Sequence, residues 1–132
     1  QLFNEETDMT TITRTPGKAL TIVAWTLQIL CATMFFFAGG SKFMGEPTMV
    51  QAFETIGLGQ WFRYLTAAIE VSSAALLLVP SLAFFGAVAL MVTMVGAIIT
   101  HLFVIGGSPA GAIVMLAATS AIAWLRRPAS LR

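Results

Sequence analysis

Charge is the scarcest thing in this chain. Of 132 residues only seven are basic and six acidic, 10% in all, where about 25% is usual in a soluble domain. So few charges cannot cover a water-exposed surface. Cysteine occurs once, as Cys31, which excludes an internal disulfide, a CxxC redox pair and a zinc cluster of thiolates. Four-helix membrane enzymes that relay electrons through thiol pairs are therefore not its models. Histidine also occurs once, as His101, so this chain cannot hold a haem between two histidines of its own. Three or four convergent metal ligands are not in sight either, and no metal site is expected. The net charge is +1, with no Lys/Arg cluster outside the C-terminal tail, which leaves no footprint for nucleic acid.

What fills the chain instead is apolar: 58% of its residues are hydrophobic. From Val71 to Leu125 there are 55 residues without Asp, Glu, Lys or Arg, and from Ala19 to Ser41 another 23. Both runs exceed the roughly 20 residues that cross a bilayer as a helix. Backbone polar groups in lipid must be satisfied internally, and runs so uniformly apolar lack the alternation of a barrel strand. The expectation is an all-α membrane protein whose partner is the lipid bilayer.

Breakers divide the apolar runs into four spans, at about 19–39, 62–79, 82–105 and 109–125. Gly39-Gly40-Ser41 ends the first and Pro80-Ser81 the second. Gly106-Gly107-Ser108 turns the chain into the fourth, where Pro109 suits the first helical turn. Arg126-Arg127-Pro128 stops it. Four spans with two very short loops predict an up-down bundle over residues 19–125. Residues 1–18 read as a polar tail, in which 1–8 are either native or an extension ahead of a start at Met9, and 126–132 form a basic tail. The first span is longer than a signal h-region of about 7–15 residues and no small-x-small site clearly ends it, so it reads as a span and not as a cleaved leader.

Loop charge gives the orientation. Arg14, Lys18, Arg126, Arg127 and Arg132 fall on one side, and Lys42 and Arg63 on the other. The excess of positive charge predicts that both termini are cytoplasmic. Trp124 at the inner rim, with Trp61 and Tyr64 at the outer one, suits the aromatic belts. In the long outer loop Pro47 can open a short helix that Gly57 closes. Met49, Phe53 and Ile56 would share one face of it, and Thr48, Gln51 and Thr55 another. This is an amphipathic helix lying in the membrane interface, or else a cap packed on the bundle. Ala38-Gly39-Gly40-Ser41 is echoed by Ile105-Gly106-Gly107-Ser108, 67 residues later. Such an echo can mark a duplicated helical hairpin.

Glu70 stands about 10 Å into the second span, seven residues beyond Arg63, at about 1.5 Å per residue. A charge at the centre of a span costs roughly 2.5–3.5 kcal/mol on insertion scales, so such a group has a reason to be there. The seven-residue spacing puts Arg63, Thr66 and Glu70 on one face and allows an Arg63–Glu70 pair, direct or bridged by water. His101 lies near the outer end of the third span, Lys42 closes the first on the same side, and Gln60 and Thr100 are further polar neighbours. On this topology Lys42, Arg63, Glu70 and His101 converge in the outer half of the bundle. Two readings follow. One is a polar pocket for a quinone head group, a small anion or a proton, with His101 and Glu70 exchanging protons. The other is an interhelical network that fixes helix register. Gln28 and Cys31, mid-span, read as an interhelical hydrogen bond and a buried thiol. Ala67, Ala68, Ser72, Ala74, Ala75, Ala117, Ala118 and Ala121 read as close-packing positions.

These residues resemble a known family. Phe36-Phe37-Ala38-Gly39-Gly40-Ser41-Lys42-Phe43 is similar to the end of the first helix in DoxX-like membrane proteins. So are Gly57-Leu58-Gly59-Gln60-Trp61-Phe62-Arg63-Tyr64-Leu65-Thr66 with Ile69-Glu70, then Leu77-Leu78-Val79-Pro80. Met94-Val95-Gly96-Ala97 and Thr100-His101-Leu102-Phe103 match the third helix. The resemblance covers roughly residues 20–125. It implies four helices in the cytoplasmic (inner) membrane of a prokaryote. It also implies an association with quinone-linked redox complexes, since the family takes its name from a subunit of an archaeal terminal oxidase. Distant relatives include assembly chaperones. By position, Lys42, Glu70 and His101 match polar places in the family.

The expected function is thus an accessory subunit of a membrane redox complex, not a self-sufficient enzyme, because no nucleophile–base pair or metal set can be assembled. No covalent cofactor is expected and a quinone is the candidate ligand. The partner would be a redox-complex protein or a second copy of the chain. A small-molecule or ion transporter and a structural or assembly factor are the alternatives.

Overall fold

The computed structural model describes the backbone of residues 2–132 and the side chains of residues 17–132. The polar tail expected at residues 1–18 lies, but for its last two residues, outside the described side chains. The chain folds into five α-helices: α1 (Leu2–Met44), α2 (Pro47–Ile56), α3 (Gln60–Leu77), α4 (Ala83–Thr100) and α5 (Ala110–Leu125). A π-helical segment, His101–Ile105, continues α4, and one 3₁₀ turn, Ala129–Leu131, follows α5.

Among the described residues two stretches are long and apolar enough to cross a membrane, Gly17–Met44 and Ala83–Ile105. Only 11% of the apolar window of the second is buried, whereas a helix this apolar in a soluble core would be enclosed. Large side chains such as Phe37, Val92 and Phe103 stand on the outer surface, each more than two-thirds exposed. A face of that kind needs lipid beside it. The chain is a membrane protein.

α1 packs on α3 and α5, α3 on α4, and α4 on α5, while α2 lies on α3 and on the π-helical segment. The seam between α1 and α3 is built from steps of three and four residues. Gln28, Cys31, Phe35 and Gly39 form it on α1, and Arg63, Ala67, Glu70, Ala74 and Leu77 on α3. This spacing keeps one face turned to a neighbour along a helix. The seam is therefore apolar in its middle and ionic at one end. Gly39 sets how close the two helices lie. A methyl group there would come 2.6 Å from Val71 Cγ2 and 3.2 Å from the Ala67 carbonyl oxygen. Gly86 does the same for α4, where a methyl group would sit 2.7 Å from the Ser73 carbonyl oxygen.

Several expectations are corrected. Gly39-Gly40-Ser41 does not end α1, which runs on to Met44 and stops at Gly45, φ +69°. Gly39 serves close packing inside the helix, whereas its echo, Gly106-Gly107, breaks the chain with two positive φ values. The two echoes share residues but not a conformation. Among the small residues, Ala67 and Ala74 are buried and Ala118 and Ala121 half-buried, but Ala68, Ser72, Ala75 and Ala117 face outward. A stretch that is small or apolar all round gives no sign of which side turns inward.

Gln28 is fully buried and joins three helices. Its Nε2 donates to the Leu77 carbonyl at 2.7 Å, and its Oε1 accepts from Arg126 Nε at 2.8 Å. The Leu77 carbonyl belongs to the last turn of α3, where carbonyls lack helical partners, so one amide satisfies a helix end and a charged side chain together.

Candidate functional site

The site begins at the last two turns of α1. Lys42 is carried inward there, and its Nζ lies 3.1 Å from both Oε1 and Oε2 of Glu70. The side chains are 12% and 3% exposed, so this is a desolvated pair, and removing either partner would strand the other. Glu70 thus pairs with Lys42 and not with Arg63, the partner that spacing allows.

Arg63 is buried too but turned to a different task. It donates from Nη1 to the Lys42 carbonyl and from Nε to Gln60 Oε1 at 2.7 Å, and it lies 4.4 Å over the Tyr64 ring. Gln60 Nε2 in turn donates to the Val50 carbonyl at 3.2 Å. This relay ties the end of α1, the start of α3 and α2 together. The C-terminal end of a helix carries unpaired carbonyls and a partial negative charge, and that is what draws the guanidinium away from the carboxylate.

Beside the ion pair lies a cavity of about 680 Å³, lined from all five helices. Met34, Phe35, Phe53, Phe62, Ile69, Met94 and Met115 make most of its wall; Lys42, Glu70, His101, Thr66, Thr93 and Thr100 supply polar groups. Of the six residues singled out from sequence, Lys42, Glu70, His101 and Thr66 line this cavity, while Arg63 holds the Lys42 carbonyl and Gln60 holds Arg63. Sequence reasoning does not single out Thr93; one threonine in an apolar helix carries no signal until the facing helix is known. Of the two readings of α2, packing on α3 and on the π-helical segment fits the cap, although Thr48, expected on the other face, also lines the cavity. Met49, Phe53 and Ile56 of α2 close one side of the cavity, while Gln51 and Thr55 face outward.

Hydrogen-bond polarity gives the site its chemistry. Thr66, Thr93 and Thr100 each donate a hydroxyl proton to a carbonyl one turn back, at 2.8, 2.8 and 2.7 Å. Their oxygens keep only acceptor capacity. His101 opens the π-helical segment, and its Nδ1 lies 2.9 Å from the Gly106 carbonyl oxygen. A carbonyl only accepts, so Nδ1 is the donor there, and in the uncharged tautomer with Nδ1 protonated Nε2 is an acceptor. The polar end of the cavity therefore offers several acceptors and one strong donor, the Lys42 ammonium.

A family model described as DoxX-like matches residues 26–126. The chain belongs to the DoxX-like family. The matched span takes in every cavity-lining residue of this DoxX-like chain and the Gln28–Arg126 contact at the far end. A protein of Bacillus subtilis (strain 168), CatD, whose name carries the provisional label oxidoreductase, is 34% identical over 90 residues. That stretch covers 64% of this chain and 63% of the relative, so the chain spans less than two thirds of the relative's length. No solved structure matches significantly.

Proposed function

We propose that this chain is an accessory subunit of a membrane redox complex and that its cavity receives the head group of a quinone or quinol. One observation carries the reading: an apolar chamber with its polar groups confined to a few positions beside a buried ion pair. Its volume, about 680 Å³, falls within the roughly 300–1,000 Å³ of small-molecule sites. The donor set fits the ligand. Ring hydroxyls can donate to the threonine oxygens and to His101 Nε2, and a ring carbonyl can accept from Lys42. A bound quinone would supply two-electron, two-proton chemistry; the residues of this chain would hold and orient it. Among the described residues no three His, Cys, Asp or Glu side chains converge, and the reading leaves the electron-transferring centre to a partner protein. The oxidoreductase label of the Bacillus relative supports the same class.

In this reading α1, α3, α4 and α5 are four spans of an up-down bundle in a prokaryotic inner membrane. Both termini are cytoplasmic, and α2 lies at the outer interface. The test is titration of decylubiquinol and decylubiquinone into the chain in nanodiscs, followed by tryptophan fluorescence. Saturable binding, weakened about tenfold by His101→Ala or Thr66→Val, is the expected result. Signal changes that rise linearly with ligand and ignore both substitutions would reject it. A second reading, an assembly or structural factor, is favoured by the closure of the Lys42–Glu70 pair upon itself. In that case Glu70→Ala lowers the yield of the chain or its complex and there is no quinone binding to lose.

A further inference from the structure

The opposite end of the helices holds a second, smaller recess of about 350 Å³, between the first described turns of α1 and the end of α5. Three guanidinium-bearing residues line it, Arg126, Arg127 and Arg132, together with Thr21, Trp124 and Leu20. Nothing acidic balances them among the described residues. The acidic residues there are Glu46, Glu54 and Glu70, which lie just before α2, on α2 and at the ion pair. The Lys42–Glu70 contact is the one ion pair among the described residues.

Side-chain contacts hold the three arginines around the recess, with Arg132 exposed to solvent. Arg126 Nε is fixed by Gln28 Oε1 at 2.8 Å, and its guanidinium lies 5.6 Å from the Trp25 ring. Its Nη2 is enclosed and has no hydrogen-bond partner among the described residues. Arg127 stacks 3.8 Å over the Trp124 ring and donates to the Trp124 carbonyl. The 3₁₀ turn brings Arg132 back, so that its Nε donates to the Arg127 carbonyl at 3.1 Å. Three like charges around one recess repel each other, and an enclosed N–H without an acceptor is costly. One multivalent oxyanion relieves the repulsion, and the planar fork of arginine matches phosphate oxygens two at a time.

We propose that this recess is a phosphate-binding site that takes the head group of an anionic phospholipid. The lipid source is favoured by the rim. Leu20 and Trp124 are 53% and 66% exposed, so apolar and interfacial surface adjoins the guanidiniums where an acyl chain would begin. Basic pockets between helices at a membrane surface take anionic head groups for these reasons. The site lies at the far end of the molecule from the quinone cavity and does not depend on that reading.

The experiment measures binding of short-chain phosphatidylglycerol, short-chain phosphatidylcholine and inorganic phosphate to the detergent-solubilised chain. Thermal shift and native mass spectrometry provide the readouts. Phosphatidylglycerol is expected to bind well ahead of phosphatidylcholine. Arg127→Gln/Arg132→Gln should weaken it about 25-fold, about fivefold for each charge removed, and Arg127→Lys/Arg132→Lys should recover part of the loss. These variants leave Arg126 on Gln28, so the helix ends stay tied. Inorganic phosphate matching phosphatidylglycerol would keep the site and make its natural occupant a soluble phosphate. Equal binding of the two lipids, or no change in the Arg127→Gln/Arg132→Gln variant, would overturn the proposal.

Discussion

Lys42 and Glu70 meet across 28 residues of sequence in a nearly dry contact. Neutralising one of them leaves the other buried without a partner, a change that typically costs about 3–5 kcal/mol, whereas replacing both by apolar residues of similar size is often neutral. Lys42→Met and Glu70→Leu should each lower the thermal midpoint in detergent markedly, and the double variant should restore most of the loss. Equal, additive losses would show that the two side chains do not act as a pair. Arg63 makes a different prediction. Its fork reaches the Lys42 carbonyl and Gln60 at once, which a lysine cannot reproduce. Arg63→Lys should therefore weaken decylubiquinol binding severalfold without removing any residue from the cavity wall. Unchanged affinity would deny Arg63 its positioning part.

At the scale of the helices, close approach decides most of the arrangement. Gly39→Ala should push α1 from α3 and cost about 1–3 kcal/mol, the usual range for overpacking. Val71→Ala should relieve part of this, because Val71 Cγ2 is the nearest atom a new methyl group would meet. Thermal unfolding of the two single variants and the double variant measures the coupling, and simple additivity would argue against the contact. The same glycine shows what can and cannot be read in advance. As Gly39-Gly40-Ser41 it looks like a stop, since glycine pairs often end helices, yet its helical φ becomes intelligible only beside α3. The short helix from Pro47, by contrast, is readable from its proline, its closing glycine and its apolar face, and Gly57 caps it at φ +84°. The π-helical segment at His101 leaves no mark in the sequence. The partner of Glu70 is not readable either, because an ion pair across 28 residues depends on how helices face each other. The partner of His101, only five residues away, follows from the unsignalled π-helical turn.

Taken whole, the molecule has two charged ends joined by an apolar middle: the Lys42–Glu70 pair with Arg63 at one, the three arginines at the other. The few charges of the sequence and their loop positions foretell this division, because lipid leaves charge nowhere else to go. If four helices span the bilayer, α2 and the C-terminal tail lie on opposite sides. In a Cys31→Ala background, Glu54→Cys and Ser130→Cys should label with an impermeant maleimide from opposite faces of oriented vesicles. Labelling of both from one face would rule out the four-span topology. Cys31 itself is buried and should stay unlabelled in the native chain.

The Gln28 contact also has a consequence in time. One partner of this amide is 49 residues downstream and the other 98. A ribosome adding about 5–20 residues per second supplies the second only about 5–20 s after Gln28 has been made. During that interval the first helix holds a side chain that lipid cannot satisfy, which favours keeping it beside the insertion machinery until the last helix arrives. A chain interrupted before α5 never completes the contact. Such a fragment should be degraded quickly, and pulse–chase labelling should find it longer-lived once Gln28→Leu removes the waiting amide.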